Sequence, residues 1–184
     1  ICPSPGYEKH FLICQRFGIE MIPVSLYSDG PDIELVEELV RKDRSIRGIW
    51  CVPKYSNPTG SIYSQEVVCR LVQLCTSYPN FNIFWDHAYC VHDLTEQRIT
   101  IPNILEIARK SGVENNIFMF ASTSKITFPG GGIAVLASGK ENITYYISRR
   151  NLTLKTGDKI NQLRHARFLK NVENIYNHMG EHRR

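Results

Sequence analysis

The sequence predicts an α/β domain: a mainly parallel sheet with helices on both faces and one antiparallel strand. Three observations carry this. Short apolar or β-branched runs alternate with segments of helical period, as strand–helix–strand units do. The run Ile117-Phe118-Met119-Phe120 is apolar throughout, as burial on both faces of a sheet requires. The strand read at Gly132 to Ser138 follows its predecessor after about a dozen residues with no clear helix between. That is short for a parallel crossover, so this strand is expected to run antiparallel.

The elements follow in order. Tyr7 to Phe17 reads as a helix and Glu20 to Leu26 as a short apolar strand, after a turn-like opening at Ile1-Cys2-Pro3. Asp32 is placed to cap a helix whose Ile33, Val36, Leu39 and Val40 recur at the helical period. Ile46 to Val52 is β-branched and aromatic, hence a strand. Ser64 caps the next helix, with Glu66 in its first turn and Val67, Val68, Leu71, Val72 and Leu74 on its apolar side. Asn82 to Trp85 is a strand ending at Asp86, Pro102 to Lys110 a helix, and Asn116 to Ala121 a strand. After Gly132 to Ser138, the segments Glu141 to Arg150 and Asp158 to His178 read as helical.

Composition narrows the class. The 184 residues are 42% hydrophobic and 22% charged, ordinary for a globular domain with a real core. A net charge of +4, scattered except for a basic lean from Arg164 to Arg184, predicts neither a nucleic-acid nor a membrane partner. No apolar stretch approaches 18 residues, the length a spanning helix needs. The six cysteines (Cys2, Cys14, Cys51, Cys69, Cys75 and Cys90) form no CxxC pair and no zinc-finger spacing. A reducing, cytoplasmic setting without disulfides is the expectation.

In open α/β sheets ligands bind beyond the carboxyl ends of the strands. Three such ends carry polar loops: Asn57-Pro58-Thr59-Gly60, Asp86-His87-Ala88-Tyr89 and Ser122-Thr123-Ser124-Lys125. Each alone has an ordinary explanation as a good turn, a helix cap or a polar surface loop. Together, in this order, they form a specific set. The chain resembles the fold-type I pyridoxal-phosphate (PLP) aminotransferases related to aspartate aminotransferase, over Ile1 to about Ala137. The runs CPSPGYEKHF, PKYSNPTG and STSKITFPGGG are most similar to bacterial aminotransferases grouped with the catalytic-like domains of GntR-type regulators.

The resemblance implies pyridoxal 5'-phosphate as cofactor and Lys125 as the residue forming the Schiff base with it. PLP stores carbanion electrons in its pyridine ring, and the protein tunes that sink. Asp86 would pair with the pyridine nitrogen and keep it protonated; a neutral Asn would not. Asn57 and Tyr89 would donate to the phenolic oxygen, while Ser122 and Ser124 would hold the phosphate with backbone N–H groups of their turn. Substrates would be an α-amino acid and a 2-oxo acid, and the active form a homodimer. Residues 1–150 would form most of the cofactor-binding large domain, and residues 151–184 a helical connection towards a small domain. The run Lys155 to Gln162 is either a contribution across a dimer interface or a helix capped by Asp158.

The chain departs from the family pattern in places. Where many relatives place a phosphate-binding arginine after the lysine, this sequence has Gly130-Gly131-Gly132, which can serve only as a backbone nest. No aromatic residue precedes Pro5-Gly6-Tyr7, leaving Tyr7 either as the ring over the cofactor or as helix-start packing. The family's N-terminal phosphate loop and the arginine that grips the substrate carboxylate are expected before Ile1 and after Arg184, so the chain reads as a central fragment. His87 and His92, with Asp86 and Asp93, fit no standard metal spacing, and no metal is expected. His165, His178 and His182 are expected to face solvent. The same residues would serve other PLP chemistry (C–S lysis or decarboxylation), a PLP-binding sensory domain of a transcription regulator, or an inactive truncated fragment.

Overall fold

A computed structural model describes residues 1–154 and 156–183. Its centre is a four-stranded sheet of β4 (Gly48–Cys51), β5 (Asn82–Asp86), β6 (Ile117–Ser122) and β7 (Ala134–Ala137), in that spatial order. The first three strands are parallel and β7 is antiparallel to β6, as its short connection requires.

Beside it lies a smaller sheet of β1 (Cys2–Ser4), β2 (Pro23–Tyr27) and β3 (Gly30–Pro31). β1 is parallel to β2, and β2 antiparallel to β3. The two sheets meet edge to edge. The Ile1 amine donates to Gly48 O at 2.7 Å and Trp50 N donates to Ile1 O at 3.2 Å. The opening segment, expected as a turn, is thus a strand: its prolines restrict it to extended backbone, and Cys2 N still finds Ile22 O at 2.9 Å.

Three helices cover one face. They are α2 (Ile33–Lys42), α3 (Gln65–Ser77) and α4 (Ile104–Lys110). The expected caps form: Asp32 Oδ1 accepts Leu35 N at 3.0 Å, and Ser64 Oγ accepts Val67 N at 3.2 Å. Val36, Val40, Val68, Leu71, Val72, Ile104 and Ala108 pack from these helices against Ile49, Cys51, Ile83, Trp85 and Ile117 of the strands. Because side chains alternate along a strand, Trp50, Phe84 and Phe118 point the other way. Their rings stack in a ladder at centroid spacings of 5.5 and 5.4 Å. α1 (Glu8–Arg16) lies on that side, where His10 stacks on Trp50 at 4.3 Å.

The C-terminal part is helical: α5 (Lys140–Thr153), α6 (Lys159–Leu169) and α7 (Val172–His182). The segment from Asp158 to His178, expected to be helical, holds two helices. Lys170 takes a positive φ of 55°, and Asn171 begins α7 by accepting Asn174 N at 2.9 Å. Asp158 caps α6, accepting Asn161 N at 2.9 Å; Lys155 itself lies outside the described residues. Not all of the C-terminal histidines face solvent as expected. His165 is buried, with 7% exposure, and His178 is half-buried with Nε2 2.8 Å from Ile126 O; His182 is exposed.

Candidate active site

The carboxyl ends of β4, β5 and β6 lie side by side, and the loops that follow are stitched together. Between the first and second loops, buried Lys54 donates to Asp93 Oδ1 at 3.0 Å and to Cys90 O at 3.4 Å, while Leu94 N donates to Tyr55 Oη at 3.3 Å. Between the second and third, His87 N donates to Phe120 O at 2.8 Å and His92 Nε2 donates to Lys125 O at 3.1 Å.

Within that frame, Lys125 and Tyr89 meet directly. Lys125 Nζ donates to Tyr89 Oη at 2.6 Å and stands 4.4 Å from the ring centroid. Since the phenol oxygen accepts there, its own proton stays free for another acceptor. Asp86, the last residue of β5, is positioned at both oxygens: Oδ1 accepts Ala88 N at 3.2 Å, and Oδ2 lies 3.1 Å from His10 Nε2. Ser122 and Ser124 also meet. Their hydroxyls are 2.9 Å apart, and Ser122 Oγ accepts Ser124 N at 3.1 Å. One hydroxyl proton is committed to that contact, and the other can still be donated. Asn57 lies exposed on the turn after β4 and makes no side-chain hydrogen bond to the other five loop residues.

The glycine run presses on the same turn. A Cβ on Gly132 would stand 2.7 Å from Ser124 N and 2.8 Å from Ser124 Cα, so only glycine permits this approach. Gly130 has a φ of 81°, in the left-handed region that glycine favours.

Two histidines near the rim, His87 and His92, have their imidazole pKa values lowered for a physical reason. Burial, reinforced by the Lys54 charge, pushes the His87 imidazole down to about 4, against an opposing pull from Asp86. Burial also lowers His92, only partly offset by its bond to Lys125 O. Nearby, Asp93 Oδ1 accepts Lys54 Nζ at 3.0 Å and Ile99 N at 3.1 Å.

One participant in this rim is not evident from the sequence. His10 reaches Asp86 across 76 residues, and its ring is clamped between Trp50 and Tyr7, the latter edge-on at 5.5 Å. The only local signal was a histidine three residues after Tyr7 on a helix, the spacing that puts two rings on one face.

A family model described as aspartate amino-transferase matches residues 1–184. The chain belongs to the aspartate aminotransferase family. An aspartate aminotransferase of Corynebacterium glutamicum is 41% identical over 182 residues, covering 99% of this chain and 42% of that protein. The crystal structure of an aspartate transaminase from Corynebacterium glutamicum superposes with a TM-score of 0.94 at 40% identity, over 99% of this chain and 43% of that one. At 23% identity the likeness is one of fold: the α-aminoadipate aminotransferase LysN of Thermus thermophilus gives a TM-score of 0.84 over 99% of this chain and 46% of that one. That protein was crystallised with N-(5'-phosphopyridoxyl)-L-leucine. The chain spans about 43% of the length of the curated relatives it matches. As an aspartate aminotransferase family member, it has the expected α/β fold with a mixed, largely parallel sheet.

Proposed function

We propose that this family member is a PLP-dependent transaminase, moving an amino group between an α-amino acid and a 2-oxo acid, with Lys125 as the cofactor attachment point. The observation that carries the reading is the 2.6 Å contact between Lys125 Nζ and Tyr89 Oη, three residues beyond Asp86 on the neighbouring strand. The donor set suits the group. An amine, a carboxylate, a phenol with a free proton and a pair of hydroxyls at a glycine-pressed turn match a carbonyl, a pyridine nitrogen, a phenolate and a phosphate. When bound, the cofactor supplies an electron sink for the carbanion formed at the substrate Cα.

The residues divide the work by their chemistry. Asp86, its carboxylate oriented by His10 and Ala88 N, would hold a proton at the pyridine nitrogen. Tyr89 and Asn57 would donate to the phenolic oxygen and so favour its ionised form. Ser122 and Ser124 would bind the phosphate, helped by N–H groups of the turn and of the glycine run. Lys125 Nζ, beside Tyr89 Oη, would attach the cofactor and, as a free amine, would move a proton to and from the substrate Cα. Residues 1–150 form the bulk of the cofactor-binding unit and 151–184 lead towards a second one; the protein works as a homodimer in the cytoplasm.

Absorbance tests this. The protein mixed with PLP should develop a visible band, and Lys125→Ala should lose it. A panel of amino acids should then convert the cofactor to its amine form, with release of the matching 2-oxo acid. Release of ammonia, carbon dioxide or a thiol would instead indicate lyase or decarboxylase chemistry. No band in the wild type would exclude the reading.

A further inference from the structure

His165 is one of the few buried polar side chains, and nothing in the proposed chemistry uses it. Its hydrogen bonds fix its tautomer. Nδ1 lies 2.9 Å from Asn161 O, a carbonyl that can only accept, so Nδ1 carries the proton. In the neutral ring Nε2 is then an acceptor, and the Thr123 hydroxyl donates to it at 2.9 Å. The same hydroxyl oxygen accepts Ile133 N at 2.8 Å. Thr123 Oγ1 is thereby used in both directions, tying the first residue of the lysine turn to β7's entry and to α6. Thr127 does not replace it, because its hydroxyl donates to Thr123 O at 3.0 Å and stands 3.4 Å from the ring. One turn earlier on α6, Asn161 Nδ2 donates to Gly131 O at 2.8 Å.

We propose that His165 is a positioning residue: through Thr123 it holds the Ser122–Lys125 turn and the facing Gly131–Ile133 backbone in the arrangement that receives the cofactor phosphate. The functional half of this rests on the PLP reading; the mechanical half does not. Without the brace, Thr123 Oγ1 loses its acceptor in a half-buried place, and the turn trades a fixed geometry for an ensemble. Phosphate binding then has to order what was previously ordered.

The test uses His165→Phe, His165→Gln, Thr123→Val and the Phe/Val double variant in the full chain, with two readouts. The first is amide hydrogen exchange at Ser124, Lys125 and Ile133 without cofactor; the second is the PLP dissociation constant. His165→Phe should speed exchange at these amides and weaken PLP, each by about ten-fold, the scale of one buried hydrogen bond. Gln, whose amide oxygen can accept the Thr123 hydroxyl, should recover most of both. The double variant should be no worse than the worse single, because both remove the same bond. Unchanged exchange in His165→Phe, additive effects, or a Gln variant no better than Phe would overturn the proposal. Should His165→Phe fail to fold, Thr123→Val carries the same prediction, and unaltered exchange there refutes it. A wild type without a Lys125-dependent band would sink the PLP reading alone, since exchange still decides the brace.

Discussion

Replacing Lys54 with Met removes one half of a buried ion pair while keeping a flexible side chain of similar length. The Lys54 side chain is 2% exposed and that of Asp93 12%, with 3.0 Å between them. Stranding one member of a buried pair generally costs about 3–5 kcal/mol. Asp93 would not be wholly stranded, because Ile99 N still donates to Oδ1 at 3.1 Å and Arg98 Nε lies 3.9 Å from Oδ2. The expected loss is therefore about 2–3 kcal/mol, or a fall in Tm of roughly 4–12 °C for a domain of this size. Urea unfolding followed by the fluorescence of Trp50 and Trp85 measures it directly. Lys54→Met/Asp93→Asn, which leaves neither charge buried, should come within about 1 kcal/mol of the wild type. A single variant within about 0.5 kcal/mol of wild type, or a double variant as unstable as the sum of the singles, would rule out a stabilising Lys54–Asp93 pair. The first two loops would then be held together by something other than this pair.

Other outcomes follow from the same geometry. His87 has its folded-state value depressed to about 4 against an ordinary 6.5, so below 6.5 the unfolded chain binds a proton that the folded one refuses. Stability should fall as pH drops from about 6.5 towards 4, by on the order of 3 kcal/mol from this residue. His87→Gln should flatten that slope in pH-dependent unfolding, and an unchanged slope would contradict the assignment. Asp86→Asn should keep the Lys125-dependent band while lowering kcat by roughly 100-fold, the size of a lost charge-assisted bond at the reacting system; single-turnover kinetics would read this. Gly132→Ala must push back the Ser124 backbone and should weaken PLP about 5- to 100-fold in a binding titration, at a cost of roughly 1–3 kcal/mol.

What could be read from the sequence was what short-range physics determines. The caps at Asp32 and Ser64, the apolar core strands and the end of β5 at Asp86 depend on neighbours within a few residues. β7's direction depends only on the length of its connection. The parts that were not legible depend on distant partners or on very short elements. β1 is three residues long with a proline inside it, and its identity as a strand comes from hydrogen bonds to Ile22 and Gly48. The break at Lys170 had a local mark, Asn171 ahead of Val172-Glu173, which matches a helix start. His165 looked like one more polar residue on a polar helix; its burial follows from Thr123, 42 positions away. In the site, the pairing of Lys125 with Tyr89 accords with the loop order, while Asn57 sits at the same rim without a bond to the rest.

The proposed chemistry turns on which amine carries the cofactor. Reduce the PLP-loaded protein with borohydride, digest it, and locate the phosphopyridoxyl mass by peptide sequencing. The expected outcome is a single modified residue, Lys125, in a peptide containing the Ser-Thr-Ser sequence before it. Modification at Lys54 or at a surface lysine, with Lys125 untouched, would contradict it.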